Sequence, residues 1–190
     1  MIKGIKLDEI FTLANLLSLI RLLFCFPVIY LIMVMDRAYS IRIITVIVLL
    51  IAASTDYLDG YFARKFNKVS ELGKIIDPLA DKALVGVIVL FLYIKGEISD
   101  FYITITLGRD LLIFLGGMFV SVKVGKVIPS DMVGKITVTV IGFFLLSVIL
   151  KLEQYQNPIF LFFEYSSIAL IFISFINYTV RGYKILRTNS

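Results

Sequence analysis

Long apolar stretches alternate with short polar segments along this chain. Six of the stretches are long enough to span a bilayer, since a transmembrane helix needs about 20 predominantly apolar residues. Their apolar residues run continuously, whereas strands of a membrane barrel alternate apolar and polar positions over about ten residues. The pattern predicts an all-α integral membrane protein with six transmembrane helices, at roughly residues 11–35, 41–63, 73–94, 101–122, 133–150 and 157–182.

Basic residues are concentrated in every second polar segment. Twelve lie at the two termini and in or beside the second and fourth loops: Lys3, Lys6, Arg64, Lys65, Lys68, Lys74, Lys123, Lys126, Lys135, Arg181, Lys184 and Arg187. The alternate loops carry four: Arg37, Arg42, Lys95 and Lys151. Loops rich in Lys and Arg face the cytoplasm. The bias predicts cytoplasmic termini, and residues 2–10 are interpreted as a short N-terminal interfacial segment.

Composition supports this class of protein. The mean hydropathy is +0.97 and 59% of the 190 residues are hydrophobic, which predicts one membrane-embedded domain over residues 1–190. The net charge of +5 suits basic loops beside anionic lipid, and no nucleic-acid partner is expected without a soluble basic domain. The single cysteine, Cys25, excludes an intramolecular disulfide.

Four aspartates interrupt the apolar background. Asp56 and Asp59 lie near the end of the second predicted helix, and Asp77 and Asp81 lie near the start of the third. A charged side chain at mid-bilayer costs about 2.5–3.5 kcal/mol, so the four persist only in a wet cavity or with bound cations. On a helix each pair shares one face, because residues three or four apart lie within about 60° of each other. Two helices joined by a short loop can therefore direct both pairs at one point.

Neighbouring residues favour metal-dependent chemistry on a phosphate. Carboxylate oxygens in a chain without histidine favour Mg²⁺ or Mn²⁺ over zinc or copper. Gly60 and Ala63 leave the helix face beside the aspartates bare, so that a nucleotide base can approach the backbone. Arg64 adds a guanidinium that can bind phosphate through two hydrogen bonds. Any proton acceptor at this site must be a carboxylate or a lysine.

The chain resembles the CDP-alcohol phosphotransferase family and meets every fixed position of its motif: Asp56-x-x-Asp59-Gly60-x-x-Ala63-Arg64, eight residues, then Gly73-x-x-x-Asp77-x-x-x-Asp81. These enzymes pass the substituted phosphate of a CDP-linked donor to an alcohol and release CMP. The resemblance implies that two divalent cations, Mg²⁺ or Mn²⁺, are bound by Asp56, Asp59, Asp77 and Asp81, with Asp81 as the general base. It also implies a CDP-donor site formed by Asp59, Gly60, Ala63, Arg64 and Gly73.

Within that family the chain is most similar to the bacterial phosphatidylglycerophosphate synthases. The similar segments are Thr12-Leu-Ala-Asn15-Leu-Leu-Ser18-Leu-Ile-Arg21, Asp77-Pro78-Leu79-Ala80-Asp81-Lys82, Gly108-Arg109-Asp110 and Ser130-Asp-Met-Val-Gly134-Lys135-Ile-Thr137. Ala14 departs from a common proline, and a glutamine often found after Thr137 is absent. The resemblance implies transfer from CDP-diacylglycerol to glycerol 3-phosphate by a homodimer in the bacterial cytoplasmic membrane, with its active site facing the cytosol. Inositol phosphate, inositol, serine and phosphatidylglycerol are alternative acceptors.

A small dianionic acceptor requires cations near the aspartates but clear of the metals. Arg109 and Lys135 are the first candidates because both lie at or inside predicted helices, and Arg21 and Lys126 are the second. Arg109 could instead pair with Asp110 or link two helices, and Lys135 could extend to the cytosolic interface.

Two other functions use intramembrane acids. A transporter distributes them around the midplane, often in repeated halves, whereas these aspartates cluster at one end of two helices and no repeat is evident. Intramembrane prenyltransferases resemble longer chains with two separate Asp-rich motifs. The single bipartite motif favours phosphotransfer.

Overall fold

The computed structural model describes residues 13–65, 73–124, 131–155 and 157–188, with side chains described over 22–54, 82–124, 131–153 and 157–187. Over these residues the chain forms six α-helices and no strand, which confirms the all-α prediction. The helices are α1 (Leu13–Val34), α2 (Tyr39–Lys65), α3 (Gly73–Ile94), α4 (Asp100–Val124), α5 (Met132–Ile149) and α6 (Pro158–Thr188). Short 3₁₀ turns follow α1 and α5, at Met35–Arg37 and Leu152–Tyr155.

Three of the described helices are long and apolar enough to cross a membrane: Asp100–Val124, Met132–Ile149 and Pro158–Arg187. Shorter apolar segments occur in α2 and α3, at Tyr39–Ser54 and Lys82–Ile94. Large apolar side chains such as Leu112 and Phe119 of α4 are exposed, which suits a helix surrounded by lipid. The chain is an integral membrane protein, and the number of six spans remains a prediction.

The backbone divides into two compact units, Met1–Lys95 and Gly96–Ser190. In the first unit, α1 packs along both α2 and α3. Val28 and Ile32 of α1 are fully buried, as are Val89 and Leu92 of α3. Their four-residue and three-residue spacings place each pair on one face of its helix. Apolar packing by α1 therefore holds the first unit together.

Asp36, in the turn after α1, joins the ends of two further helices. Arg42 of α2 is almost fully buried and donates a hydrogen bond of 2.5 Å to Oδ1 of Asp36. Lys95, just after α3, pairs with Oδ2. The hydrogen bond from Lys95, with a smaller contribution from Arg42, holds the pKa of the Asp36 carboxyl below its usual value of 3.8. One carboxylate thus ties together one end of α1, α2 and α3.

In the second unit, α6 packs against both α4 and α5. The core of this unit includes Phe144, Val148 and Ile171, each at most 3% exposed. Tyr102 of α4 lies 4.4 Å from Phe144, centroid to centroid, and its hydroxyl donates a 3.0 Å hydrogen bond to Ser167 of α6. Aromatic packing and a satisfied hydroxyl therefore connect all three helices of this unit.

The paired glycines of α4 form a shallow surface for one side chain of α6. A methyl carbon built on Gly117 would lie 2.6 Å from the hydroxyl oxygen of Tyr178, whereas one on Gly116 would lie 3.8 Å from its ring. Contacts shorter than 3.0 Å force one of the two groups to move. Gly117 is thus the position of α4 at which an added methyl group would force the Tyr178 hydroxyl to move.

Candidate functional site

The aspartate motif lies on the two helices where the sequence predicts it. Asp56 and Asp59 are in α2, which continues to Lys65, and Asp77 and Asp81 are in α3, which begins at Gly73. Both helices run unbroken through these positions, so each aspartate pair stays about one turn apart. Gly60, Ala63 and Arg64 share the last turns of α2. The side chains of the motif lie outside the described residues, and their metal-binding and donor-binding roles remain predictions.

The four predicted acceptor-binding cations occupy different parts of the chain. Arg109 lies in α4 with only 8% of its surface exposed, and Lys135 lies in the first turns of α5 and is exposed. Arg21 is in α1, but its side chain lies outside the described residues, as does the whole of Lys126. Of the two candidates with described side chains, Arg109 is therefore the buried one.

Both alternatives for Arg109 occur together. Its Nη1 donates a hydrogen bond of 2.5 Å to Oδ1 of Asp110, and its Nη2 donates one of 2.6 Å to Oγ of Ser174 on α6. Its Nε is buried and has no hydrogen-bond acceptor among the described residues. A buried donor without an acceptor loses its hydration free energy with nothing in exchange. The guanidinium is held in place but keeps one donor available.

Asp131 is a residue that the candidate set does not include. It is the N-cap of α5, where its Oδ1 accepts a 2.9 Å hydrogen bond from the backbone N–H of Gly134. Its Oδ2 accepts a hydrogen bond from Nδ2 of Asn177 on α6. Nη1 of Arg181, one turn further along α6, lies 3.5 Å from the same oxygen. Asp131 thus links the start of α5 to two side chains of α6.

Gly134 brings these groups together. A methyl carbon at this position would lie 2.9 Å from Oδ1 of Asp131, 3.8 Å from Nη2 of Arg109 and 4.0 Å from Oγ of Ser174. Only the distance to Asp131 is shorter than an ordinary contact, so the absence of a side chain lets the cap of α5 close beside Gly134, with the guanidinium of α4 in normal contact with the same position. We call the resulting group the three-helix cluster; its members are Arg109, Asp110, Asp131, Gly134, Ser174, Asn177 and Arg181.

The three-helix cluster has the chemistry of an anion site. Like Nε of Arg109, Nη1 of Arg181 is buried and makes no hydrogen bond with a described residue. Two guanidinium groups therefore each retain a buried donor beside two carboxylates that partly balance their charge. A ligand with several anionic oxygens, such as a phosphate, would satisfy donors of this kind with strong, charge-assisted hydrogen bonds.

The sequence gives only weak signals for Asp131, Asn177 and Arg181, which the predicted site does not include. Aspartate before an apolar helix is a common N-cap, so Asp131 could have been assigned that local role. Asn177 and Arg181 are four residues apart and share a face of α6. The contact between Asn177 and Asp131 joins residues that are 46 positions apart in the sequence. Such a contact depends on how α5 packs against α6.

The described side chains do not include the four aspartates of the motif. Within that set, no group of three or more Asp, Glu, His or Cys side chains could hold a metal ion. The chemistry of the motif aspartates suits a hard divalent cation, because all the donors are carboxylate oxygens on two helices that keep the required spacing.

Comparison with known proteins identifies the family. Residues 11–177 match the CDP-alcohol phosphatidyltransferase family. A protein of Aquifex aeolicus named CDP-diacylglycerol--glycerol-3-phosphate 3-phosphatidyltransferase is 33% identical over 178 residues, covering 90% of this chain and 96% of that protein. A protein of the same name from Rickettsia bellii is 33% identical over 157 residues, covering 82% of this chain and 83% of that protein. Another from Bacillus subtilis is 37% identical over 90 residues, covering 47% of this chain and 46% of that protein. The chain belongs to the CDP-alcohol phosphatidyltransferase family and is a phosphatidyltransferase.

Proposed function

We propose that this enzyme transfers the phosphatidyl group of CDP-diacylglycerol to glycerol 3-phosphate, giving phosphatidylglycerophosphate and CMP. The observation that carries the proposal is the match along 90% of the chain to a protein named for that reaction. The complete aspartate motif and the two guanidinium groups of the three-helix cluster support it independently. The acceptor hydroxyl attacks the phosphorus of the phosphatidyl group, and the bond from that phosphorus to the CMP oxygen breaks.

Asp56, Asp59, Asp77 and Asp81 are the residues that would hold the two divalent cations, Mg²⁺ or Mn²⁺. When bound, such ions neutralise the diphosphate of the donor and stabilise the departing phosphate oxygen. The unbroken helical backbone at these positions supports the assignment, because it keeps both members of each pair on one helix face.

The donor and the proton are assigned to the same two helices. Asp59, Gly60, Ala63, Arg64 and Gly73 would form the CDP pocket, in which small residues admit the nucleotide and Arg64 binds a phosphate oxygen. Asp81 would accept the proton of the acceptor hydroxyl as the new P–O bond forms. A carboxylate is suited to this role in a chain without histidine.

The phosphate of the acceptor is assigned to the three-helix cluster. Arg109 and Arg181 each keep a buried N–H donor without an acceptor in the described residues, and we assign oxygens of the acceptor phosphate to these donors. Lys135, exposed in the first turns of α5, is proposed to add positive charge for the acceptor phosphate, and Arg21 and Lys126 are the second candidates for that role. The reaction would take place at the cytosolic face of the bacterial membrane, in a homodimer of six-span subunits.

An acceptor panel tests the proposed function. Purified enzyme with CDP-diacylglycerol and Mg²⁺ or Mn²⁺ is supplied with glycerol 3-phosphate, inositol phosphate, inositol, serine or phosphatidylglycerol. We expect CMP release and a product with the mass of phosphatidylglycerophosphate with glycerol 3-phosphate alone. Asp81→Asn should lower kcat by at least about 100-fold while CDP-diacylglycerol binding persists, as expected for loss of a general base.

Two outcomes would contradict these assignments. Preferential turnover with another alcohol would replace the proposed acceptor while leaving the reaction class intact. Full activity of Asp81→Asn would exclude Asp81 as the base.

A further inference from the structure

We propose that Asp131 is a positioning residue that orients Arg181 towards the phosphate of the acceptor, with Asn177 holding the carboxylate in place. This inference rests on the proposed function, because it assigns a partner to a cation of the acceptor site. It concerns one carboxylate, its two oxygens and the three groups that surround them.

The two oxygens of Asp131 have separate tasks. Oδ1 accepts from the N–H of Gly134 at 2.9 Å and thereby caps α5. Oδ2 faces α6, where it accepts from Asn177 and lies 3.5 Å from Nη1 of Arg181. An aspartate serving only as a cap requires one oxygen and no partner on another helix. The second oxygen therefore has a role beyond starting α5.

Arg181 depends on this carboxylate for its orientation. Its Nη1 is buried, makes no hydrogen bond with a described residue, and has Oδ2 of Asp131 as its ion-pair partner at 3.5 Å. An arginine side chain has many rotamers, and holding one of them costs conformational entropy. A group already aligned before the substrate arrives avoids that cost at the moment of binding.

Repulsion between Asp131 and the incoming phosphate is a competing effect. The charge of Asp131 is partly compensated by the helix N-terminus that it caps and by the amide of Asn177. Arg109 also lies beside Gly134 and adds positive charge at the same place. We therefore expect alignment of Arg181 to outweigh repulsion, so that loss of the carboxylate weakens acceptor binding.

Asp131→Asn removes the negative charge at position 131 while keeping the side-chain oxygen that caps α5. Its amide oxygen can still accept from Gly134, and the amide of Asn177 can turn to accept from the new NH₂ group, but Arg181 loses its anionic partner. We expect the KM for glycerol 3-phosphate to rise about tenfold, or about 1.4 kcal/mol of binding. The KM for CDP-diacylglycerol and kcat should stay within about twofold of wild type, since neither involves Arg181 directly.

A reciprocal exchange provides the rescue. In Asp131→Asn combined with Asn177→Asp, the carboxylate moves to α6, four residues before Arg181, where the two side chains share a helix face. The amide at position 131 keeps the cap and can donate to the relocated carboxylate. We expect the acceptor KM to return to within about threefold of wild type, a coupling that independent sites would not produce.

Two further variants complete the test. Asp100→Asn, at the first residue of α4 and about 13 Å along that helix from Arg109, makes the same change in net charge and should leave all constants unaltered. Asn177→Ala keeps both charges but releases Oδ2, and should raise the acceptor KM about threefold. Circular dichroism and gel filtration in detergent show whether Asp131→Asn folds. If it does not, the acceptor KM of Asn177→Ala tests the positioning role in its place.

An acceptor KM in Asp131→Asn that is unchanged or lower would overturn the inference, because the carboxylate would then be neutral or competing with the phosphate. A folded double variant without rescue would overturn it as well. Wild-type enzyme assayed in parallel distinguishes failure of the proposed function from failure of the positioning role. Wild type that releases no CMP with glycerol 3-phosphate contradicts the proposed function, whereas active wild type with an unaffected Asp131→Asn contradicts the positioning role alone.

Discussion

At the scale of single residues, Arg109 illustrates how a buried charge is accommodated next to lipid. Asp110 neutralises it at 2.5 Å, and Ser174 accepts from its other terminal nitrogen at 2.6 Å. Removing one partner from a buried ion pair leaves an uncompensated charge, so such pairs are kept or replaced together. The pair with Asp110 anchors the guanidinium, and its buried Nε has no acceptor among the described residues.

Arg109→Lys tests whether the shape of the guanidinium matters beyond its charge. The guanidinium places three different nitrogens at Asp110, at Ser174 and at the position of Nε. An ammonium group has a single nitrogen and cannot occupy these positions together. We expect the KM for glycerol 3-phosphate to rise about tenfold, with the KM for CDP-diacylglycerol nearly constant. Steady-state CMP release at varied concentrations of each substrate measures both constants.

Lys123→Arg is the matched control for Arg109→Lys. It makes the reverse exchange of basic side chains, also without a change in net charge, at the exposed end of the same helix, where Lys123 lies 5.9 Å from the ring centroid of Phe119. Its constants should equal those of wild type. An acceptor KM that rises equally in Lys123→Arg would show that any exchange of basic side chains on this helix has the effect, in place of a specific site at Arg109.

At the scale of elements, contact between α4 and α6 depends on one missing side chain. Gly117→Ala would bring a methyl group to 2.6 Å from the Tyr178 hydroxyl oxygen, whereas Gly116→Ala would make an ordinary contact at 3.8 Å. Alanine also favours a helix over glycine by about 1 kcal/mol at either position. We therefore expect Gly117→Ala to be less stable than Gly116→Ala by roughly 1–2 kcal/mol, measured by thermal unfolding in detergent.

Tyr178→Phe provides the rescue for that prediction. It removes the oxygen at 2.6 Å, and the next atom of the ring lies 3.9 Å from the same methyl position. Gly117→Ala should then be tolerated as well as Gly116→Ala. Equal stability of the two alanine variants with Tyr178 present would show that the helices adjust without cost.

Continuous apolar stretches predicted most helix limits well, because a helix in lipid needs apolar residues along its whole length. The third predicted span, 73–94, coincides with α3. The sixth was predicted to end at residue 182, but α6 continues to Thr188. Its basic residues Arg181, Lys184 and Arg187 end the apolar pattern without ending the helix, since Lys and Arg are good helix formers.

The candidate site could be predicted less completely. Arg109 was identified as a cation at or inside a predicted helix, and the structure adds its partners. Asp131, Asn177 and Arg181 were missed as a group, because nothing local indicates that a cap on α5 meets the face of α6. Side-chain contacts between distant segments follow from packing, which the apolar pattern leaves open.

At the scale of the whole molecule, folding stability includes a contribution with a defined pH dependence. Asp36 ties α1, α2 and α3 through Lys95 and Arg42, which hold its pKa below 3.8. A group whose pKa is lower in the folded state stabilises that state above its unfolded pKa. The contribution should therefore be complete above about pH 4 and lost as the pH falls through the lower, folded-state pKa.

Asp36→Asn should lower the thermal unfolding temperature at pH 7, and the difference from wild type should shrink below pH 3.8. Adding Lys95→Gln tests the partner, since Lys95 makes the largest contribution to the pKa shift. In that background Asp36→Asn should have a smaller effect. A difference that is constant from pH 7 to pH 3 would assign the stability to packing at the turn.

The length of α6 has a consequence for the substrates. Its 31 residues extend about 46 Å, against a hydrocarbon core of about 30 Å, so an upright α6 must emerge from the lipid. Arg181 lies about 35 Å from the start of the helix, so in an upright α6 that begins at one edge of the hydrocarbon core it would lie near the lipid phosphates of the other leaflet. A water-soluble alcohol could then bind the guanidinium at the membrane–water interface, while the acyl chains of the donor stay in the hydrocarbon core. Membrane thickness, through the tilt that it imposes on α6, would thereby influence the depth of Arg181 in the bilayer.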